Sequence, residues 1–257
     1  MKRIAIICRE DKASYRLKDI ILRELKNDMI YDEEHPDLVI SVGGDGTMLS
    51  CIHKYINQLD SVYFVGLHTG TLGFYTDYRK EEYMELIEGI KSDKGTVLER
   101  YLLKVHYGDK ESLALNEVRI ENNVHSLVLD VFIDEEHLET FRGNGLCVST
   151  DSGSTAYNRS LGGAIIYPGV KLMQLSEIAG IHHNAYRSLD SSLILDDRHK
   201  ICVHSLNFSN AILGIDNEVH ELKDINQLEI EVSDKCARFI QFKPLSFIKR
   251  VKRAFIK

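Results

Sequence analysis

The sequence predicts an α/β + β protein: an N-terminal α/β domain, a β-rich domain after it, and a last helix that returns to the first domain. Three observations predict this. Apolar strands alternate with helical patterns up to residue 95. From 96 to 242 the helical spacing fades and short β-rich runs follow one another. From 243 to 257 an amphipathic helical pattern resumes.

Residues 2–9 (KRIAIICR) read as a buried strand. Residues 14–29 carry Leu17, Ile21, Leu25 and Met29, a spacing that favours one helix face. Residues 37–42 form a second apolar strand, which ends abruptly in Gly43-Gly44-Asp45-Gly46-Thr47. A helix with Leu49, Ile52, Tyr55 and Ile56 follows, then a strand over 61–67, a glycine-bearing loop, and a helix over 80–92. Strands and helices of this length in alternation imply a parallel sheet. In the second domain, β-rich runs fall at 96–107, 113–121, 126–133, 138–142, 145–149, 192–196, 200–206, 211–215, 218–222, 227–232 and 236–242. Turn signals stand at Gly108-Asp109, Asp216-Asn217 and Ser233-Asp234. Residues 154–161 and 171–186 are expected to form short helices. In the last segment Phe247, Ile248, Val251 and Phe255 form one face, and Lys249, Arg250, Lys252 and Arg253 a solvated basic one.

A chain of 257 residues is long enough to bury a core without disulfides or metals. Its net charge of −7 argues against a nucleic-acid partner, while a local basic pocket for an anionic substrate stays open. The five cysteines are scattered and form no CxxC pair, which favours reduced thiols in a reducing compartment. The first apolar stretch is too short for a secretory signal, and no run approaches the roughly 20 residues of a membrane helix. The protein is expected to be soluble and cytoplasmic, with no membrane partner.

The strongest motif is Gly43–Thr47, placed where a strand gives way to a helix. Glycines there allow a sharp turn and close approach to a ligand. The helix start offers unpaired N–H groups to phosphate. Asp45, with no side-chain neighbour to compete for it, can accept a proton from a substrate hydroxyl or help hold a phosphate-bound metal. A capped structural turn is the plainer alternative. The loop is neither a Walker A sequence nor a GxGxxG fingerprint. His182-His183 has no carboxylate or thiol neighbours at metal spacing, so no metal site is expected there.

The pentapeptide resembles the signature of NAD kinases, diacylglycerol and sphingosine kinases, and phosphofructokinases. Other segments narrow the resemblance to bacterial NAD kinases of short, Gram-positive-like form. Leu67–Asp77 resembles the loop after their third strand; His68 lies in it, and Phe74 resembles the residue that packs on adenine. Asn116-Glu117 resembles the family's NAD-binding pair; an amide and a carboxylate suit vicinal ribose hydroxyls. Phe141–Gly163 resembles the family's GDG…STPTGSTAY segment, with Thr155, Ala156, Tyr157 and Ser160 in its last part. Tyr157 offers a ring for stacking a base, and Arg142 a guanidinium for a dinucleotide phosphate. Ala179 and Ile181 fall where the family binds the nicotinamide side.

The resemblance implies a Rossmann-like first domain (1–95), a β-sandwich-like NAD-binding domain (96–242) and a C-terminal helix (243–257). It implies that Gly44, Gly46 and Thr47 bind the triphosphate and that Asp45 deprotonates the adenosine 2′-hydroxyl of NAD. ATP with Mg²⁺ or another divalent cation is the implied donor, and a homotetramer with sites at subunit interfaces the implied assembly. This chain departs from the family pattern at Thr71, Asn144, Asp151 and Asn217. Asn144 is expected to remove a negative charge from the nicotinamide side, and Asp151, replacing a proline, to loosen the loop before Gly153. Two other readings stay open: a diacylglycerol- or sphingosine-type lipid kinase, and a catalytically weak NAD(P)-binding regulator.

Overall fold

The computed structural model describes residues 1–70, 73–182, 187–206, 208, 211–243 and 246–256. Two compact units emerge: Met1–Glu99 with Cys236–Lys257, and Arg100–Lys235.

The first unit is built as β1 (Arg3–Cys8), α1 (Lys12–Leu25), β2 (Ile30–Tyr31), β3 (Leu38–Gly43), α2 (Asp45–Lys54), β4 (Tyr63–His68), β5 (Tyr78–Arg79) and α3 (Tyr83–Ser92). Its strands pair in parallel: β1 with β2 and β3, β3 with β4, and β4 with β5. β3 is buried at every position, which explains why its run is apolar apart from Ser41 and the final glycine. Asp11 caps α1 by accepting from the Ala13 and Ser14 N–H groups. The helix stops at Leu25 rather than running to 29, because Lys26-Asn27-Asp28 forms a turn that brings the Met29 N–H onto the Leu25 carbonyl. Ile21 and Leu25 of α1, and Leu86, Ile87 and Ile90 of α3, join Ile4, Ile6, Ile40 and Val65 in one core.

The second unit holds most of β6 (Thr96–Tyr107), then β7 (Lys110–Ala114), β8 (Glu117–Glu121), β9 (Leu127–Ile133), β10 (Glu136–Ser149), the short helix α4 (Tyr157–Ser160), β11 (Leu172–Gly180), β12 (Leu193–Asp196), β13 (Lys200–His204), β14 (Ile212–Ile215), β15 (Glu218–Glu221) and the first part of β16 (Gln227–Gln241). The pairing here is antiparallel, in the order β15-β14-β8-β10-β9-β13-β16. The hairpins at Gly108-Asp109 and Asp216-Asn217 form as expected, with Gly108 and Asp216 in the left-handed region at φ 59° and 51°.

Three expectations are corrected. The runs 138–142 and 145–149 are one strand, β10. Its glycines serve close strand packing rather than a turn: a Cβ on Gly145 would lie 1.9 Å from the Ile120 carbonyl oxygen. The runs 227–232 and 236–242 are likewise one strand, β16, and Ser233-Asp234 does not turn. Residues 171–182 are not helical, and the rest of that expected helix, 183–186, lies outside the described residues. Leu172–Gly180 is strand β11 between β10 and β12, where buried Gln174 bonds the Ala164 backbone and buried Ser176 bonds Asn158. The expected 154–161 segment does fold as a 3-10 turn (Gly153–Thr155) followed by α4.

The last part of β16 pairs in parallel with β4, and α5 (Phe247–Phe255) follows it within the first unit. Ile248 is 65% exposed, off the apolar face expected of it, and Arg250 is buried. Among the described residues no helix is long and apolar enough to cross a membrane.

Candidate active site

β3 ends at Gly43, Gly44 caps α2, and Asp45 is the first residue of that helix. A Cβ on Gly43 would lie 2.1 Å from Thr47 Oγ1, so glycine is required there. The Gly44 N–H donates to Thr47 Oγ1 at 3.3 Å. A Cβ on Gly46 would meet nothing within 4 Å, so this glycine leaves open space at the helix start.

Asp45 does have partners, but they are backbone groups. Its Oδ2 accepts from the Phe74 N–H at 2.8 Å and its Oδ1 from the Tyr75 N–H at 3.0 Å. A carboxylate has about four lone-pair sites, so both oxygens keep room for another donor. Gly73 makes this approach possible: a Cβ there would stand 2.2 Å from Asp45 Oδ1.

The loop that supplies these N–H groups is held from its other side by Arg250 of α5. Its Nη1 donates to the carbonyls of Gly73 (3.4 Å), Phe74 (3.1 Å) and Thr76 (2.8 Å), and its Nη2 pairs with the Asp77 carboxylate. Arg250 is therefore not part of a solvated basic face. The Phe74 ring stacks on Phe255 at 5.5 Å and tilts against Phe247 at 6.2 Å. His68 Nδ1 accepts from the Gly70 N–H at 2.6 Å, which leaves the proton of the neutral ring on Nε2. Burial pushes the His68 pKa down, against the opposing pull of Asp45 and with help from Arg9. Thr71 lies outside the described residues.

In the second unit, sequence-distant residues converge on Asn116-Glu117. The buried Asp216 carboxylate accepts from the N–H groups of Leu115 (2.8 Å), Asn116 (2.6 Å) and Glu117 (3.2 Å). Thr150 donates its hydroxyl to the Leu115 carbonyl and its N–H to that of Asn116. A Cβ on Gly153 would lie 2.0 Å from the Asn116 carbonyl oxygen, so the 150–155 turn packs directly on this pair. Thr155 Oγ1 bonds the Ser152 carbonyl, Ala156 and Tyr157 are half-buried, and Ser160 and Asn217 are exposed. The Arg119 guanidinium lies 5.2 Å from the Tyr157 ring centre.

Arg142, Asn144, Ala179 and Ile181 form a second group. Gly143 pairs with Gly180, the Ile181 N–H donates to the Arg142 carbonyl at 2.8 Å, and Ala179 holds a left-handed φ of 47°. Asn144 donates its amide to the Asn122 carbonyl at 2.8 Å, a bond that an ionised aspartate could not make.

Asp151 does not loosen its loop. It is 2% exposed, and its carboxylate accepts from the N–H groups of Ser152, Gly169 and Val170 at 2.6, 2.5 and 3.0 Å. The carboxylate thus ties together two stretches that a proline would only have stiffened locally. His182 Nε2 lies 3.6 Å from Glu177 and 3.4 Å from Asp190; His183 lies outside the described residues.

Burial pushes Glu117 up to about 7, with Asp216 adding to the rise and Arg119 opposing it. A carboxyl whose folded pKa is raised stabilises the fold fully below its unfolded value, and that stability is lost as pH climbs through about 7. Glu117→Gln is therefore expected to be more stable than the parent at pH 8, by about 2–3 kcal/mol, and nearly equal to it at pH 4. Urea unfolding at the two pH values measures this; equal stabilities at pH 8 would show that the buried carboxylate carries no penalty.

The α/β unit carries a glycine loop and a held carboxylate at a helix start, and the β-rich unit a buried polar cluster, features that suit a nucleotide-handling protein. Residues 8–94 match the family model for the ATP-NAD kinase N-terminal domain, and residues 115–242 that for the ATP-NAD kinase C-terminal domain. The chain belongs to the NAD kinase family. It is 41% identical to the NAD kinases of Staphylococcus epidermidis and Staphylococcus aureus, over 99% of this chain and 97% of theirs. Its fold is similar to that of yeast NADH kinase complexed with NADH (TM-score 0.87, 20% identity, 100% of this chain and 89% of the other). It is also similar to the NAD kinase from Archaeoglobus fulgidus in complex with ATP (TM-score 0.77, 23% identity, 98% and 99%).

Proposed function

We propose that this enzyme phosphorylates NAD to NADP by moving the γ-phosphoryl group of ATP onto the adenosine 2′-hydroxyl, with Asp45 as proton acceptor. The observation that carries the reading is the Asp45 carboxylate, oriented by two backbone N–H groups beside an open helix start, in a member of the NAD kinase family. The 2′-oxygen forms a bond to the γ-phosphorus as the bond from that phosphorus to the bridging oxygen breaks. The hydroxyl proton passes to Asp45, and ADP leaves.

The first turn of α2, with Gly44, Gly46 and Thr47, takes donor phosphates on its N–H groups, and His68 offers a neutral Nε2–H donor beside Gly44. Asn116 and Glu117 hold ribose hydroxyls, Thr155, Ala156, Tyr157 and Ser160 the adenosine half, Arg142 a phosphate of the dinucleotide, and Asn144, Ala179 and Ile181 the nicotinamide half. Asn217 supplies a polar contact from its hairpin, and Phe74 an apolar one from its loop. Among the described residues no three His, Cys, Asp or Glu side chains are grouped to hold a metal ion. In this reading Mg²⁺ or another divalent cation would come with ATP and would neutralise its phosphate oxygens.

A homotetramer in the cytoplasm is part of this reading. Five cysteines scattered along the sequence, with no CxxC pair, suit a reducing compartment, and the tetramer is what the family resemblance implies. A lipid acceptor is disfavoured by the match of residues 115–242 to the ATP-NAD kinase C-terminal domain.

Incubation with ATP, Mg²⁺ and NAD, read out by an NADP-specific dehydrogenase, is expected to show NADP formation. Binding of NAD without turnover under any donor or divalent cation would instead indicate a regulator. Gly73→Ala is expected to lower kcat by about 10²-fold, because its methyl group displaces the Asp45 carboxylate. Parent-like turnover in that variant would mean that the loop yields without moving Asp45.

A further inference from the structure

The Gly73–Phe74 peptide unit is bound along both edges. Its carbonyl accepts from Arg250 Nη1 at 3.4 Å, and its N–H donates to Asp45 Oδ2 at 2.8 Å. The Phe74–Tyr75 unit is bound in the same way, by Arg250 at 3.1 Å and by Asp45 Oδ1 at 3.0 Å. The opposed C=O and N–H of two successive peptide planes thus bridge one guanidinium and one carboxylate. Arg250 is 5% exposed and Asp77, its ion-pair partner, 7%. Such an arrangement fixes the plane of each peptide, and with it the direction of each N–H. A cation on the carbonyl also polarises the amide, which strengthens its N–H as a donor.

We propose that Arg250 is a positioning residue for Asp45, acting through the Gly73–Phe74 and Phe74–Tyr75 peptide units to hold the carboxylate in its reactive orientation. The C-terminal helix thereby becomes part of the catalytic apparatus without touching substrate. The proposal rests on the reading of Asp45 as proton acceptor. Three features of the geometry support it. Among the described residues the Arg250 side-chain hydrogen bonds converge on the segment 73–77. The two N–H groups that reach Asp45 belong to the same peptide units whose carbonyls Arg250 binds. The ring stack of Phe74 on Phe255 locks the same segment to the same helix. A lysine could replace the charge, but its ammonium cannot span three carbonyls and a carboxylate in one plane.

The test is a kinetic cycle on the full-length enzyme with Arg250→Lys, Arg250→Ala, Asp45→Asn and the Arg250→Lys/Asp45→Asn double variant. Arg250→Lys is expected to lower kcat by about 10–100-fold, with KM for ATP and NAD changed by less than about threefold. Methylguanidinium is expected to restore part of the kcat lost in Arg250→Ala. In the Asp45→Asn background, Arg250→Lys is expected to cause no further loss, because the group it positions is gone. Parent-like kcat in Arg250→Lys, a loss confined to KM, or a full multiplicative loss in the double variant would each overturn the proposal. If Arg250→Ala does not fold, the Arg250→Lys comparisons decide alone. Parent-like activity in Asp45→Asn would sink the reading of Asp45 itself, an outcome distinct from any of these.

Discussion

Asp45→Asn is expected to abolish NADP formation to within about 10²–10⁴-fold below the parent kcat, while leaving the fold and nucleotide binding in place. The amide keeps the size of the carboxylate and one acceptor oxygen, so one of the Phe74 and Tyr75 N–H groups keeps its partner. What it loses is the capacity to take a proton from the 2′-hydroxyl. Asp45→Ala removes more: both N–H groups lose their acceptor, each at about 1–3 kcal/mol if water cannot replace it. The two variants should therefore be alike in turnover and differ in stability, with Asp45→Ala the less stable. Steady-state NADP formation and thermal melts together check this. If Asp45→Asn retained turnover within tenfold of the parent, proton transfer to Asp45 could not be the step that limits the reaction.

The first unit was largely legible because its physics is local. The run 38–42 is apolar at every position but Ser41, which suits a strand buried on both faces, and the glycine loop marks its end. The misreadings came where a residue's usual local meaning was overridden by a neighbour far along the chain. The expected runs 138–142 and 145–149 stop short of each other, yet Gly143 and Gly145 admit β11 and β8 closely enough for β10 to continue. Ser233-Asp234 reads as a turn, yet β16 runs through it. The helix expected from 171 onward lost to strand pairing on both sides of Leu172–Gly180.

The candidate site divides along the same line. Asp45 and Asn116-Glu117 stand out by residue type and position, but what holds them does not. Arg250 sits three residues after Phe247, on the flank of the apolar face of α5, where a helical projection could have marked it as something other than a surface cation. Gly73 and the N–H groups of Phe74 and Tyr75 carry no side-chain signal, since the bond is made by backbone 29 and 30 residues away. Asp151 was misjudged because only the lost proline was weighed. Its two bonds to Gly169 and Val170 are contacts that no local rule anticipates.

Asp216→Ala carries the largest expected loss of stability in the second unit. Three consecutive backbone N–H groups, of Leu115, Asn116 and Glu117, converge on its carboxylate, and all four residues are buried. Truncation leaves these donors without an acceptor at about 1–3 kcal/mol each, less than additively because the segment can relax. The hairpin position also has φ 51°, which aspartate tolerates better than alanine, at about 1–2 kcal/mol. Together they suggest a loss of about 3–5 kcal/mol. Part of this is returned at high pH. The Asp216 charge is one of the causes holding Glu117 up near 7, and its removal eases the ionised Glu117. At pH 5, where Glu117 is already neutral in the parent, no such relief exists, so the loss at pH 5 should exceed that at pH 8. Asp216→Asn separates the contributions, since it tolerates the left-handed backbone and keeps one acceptor. Urea unfolding at both pH values, with hydrogen exchange at the 115–117 amides, measures the effect. A loss below about 1 kcal/mol at pH 5, with those amides still protected, would mean that strand pairing alone fixes Asn116 and Glu117.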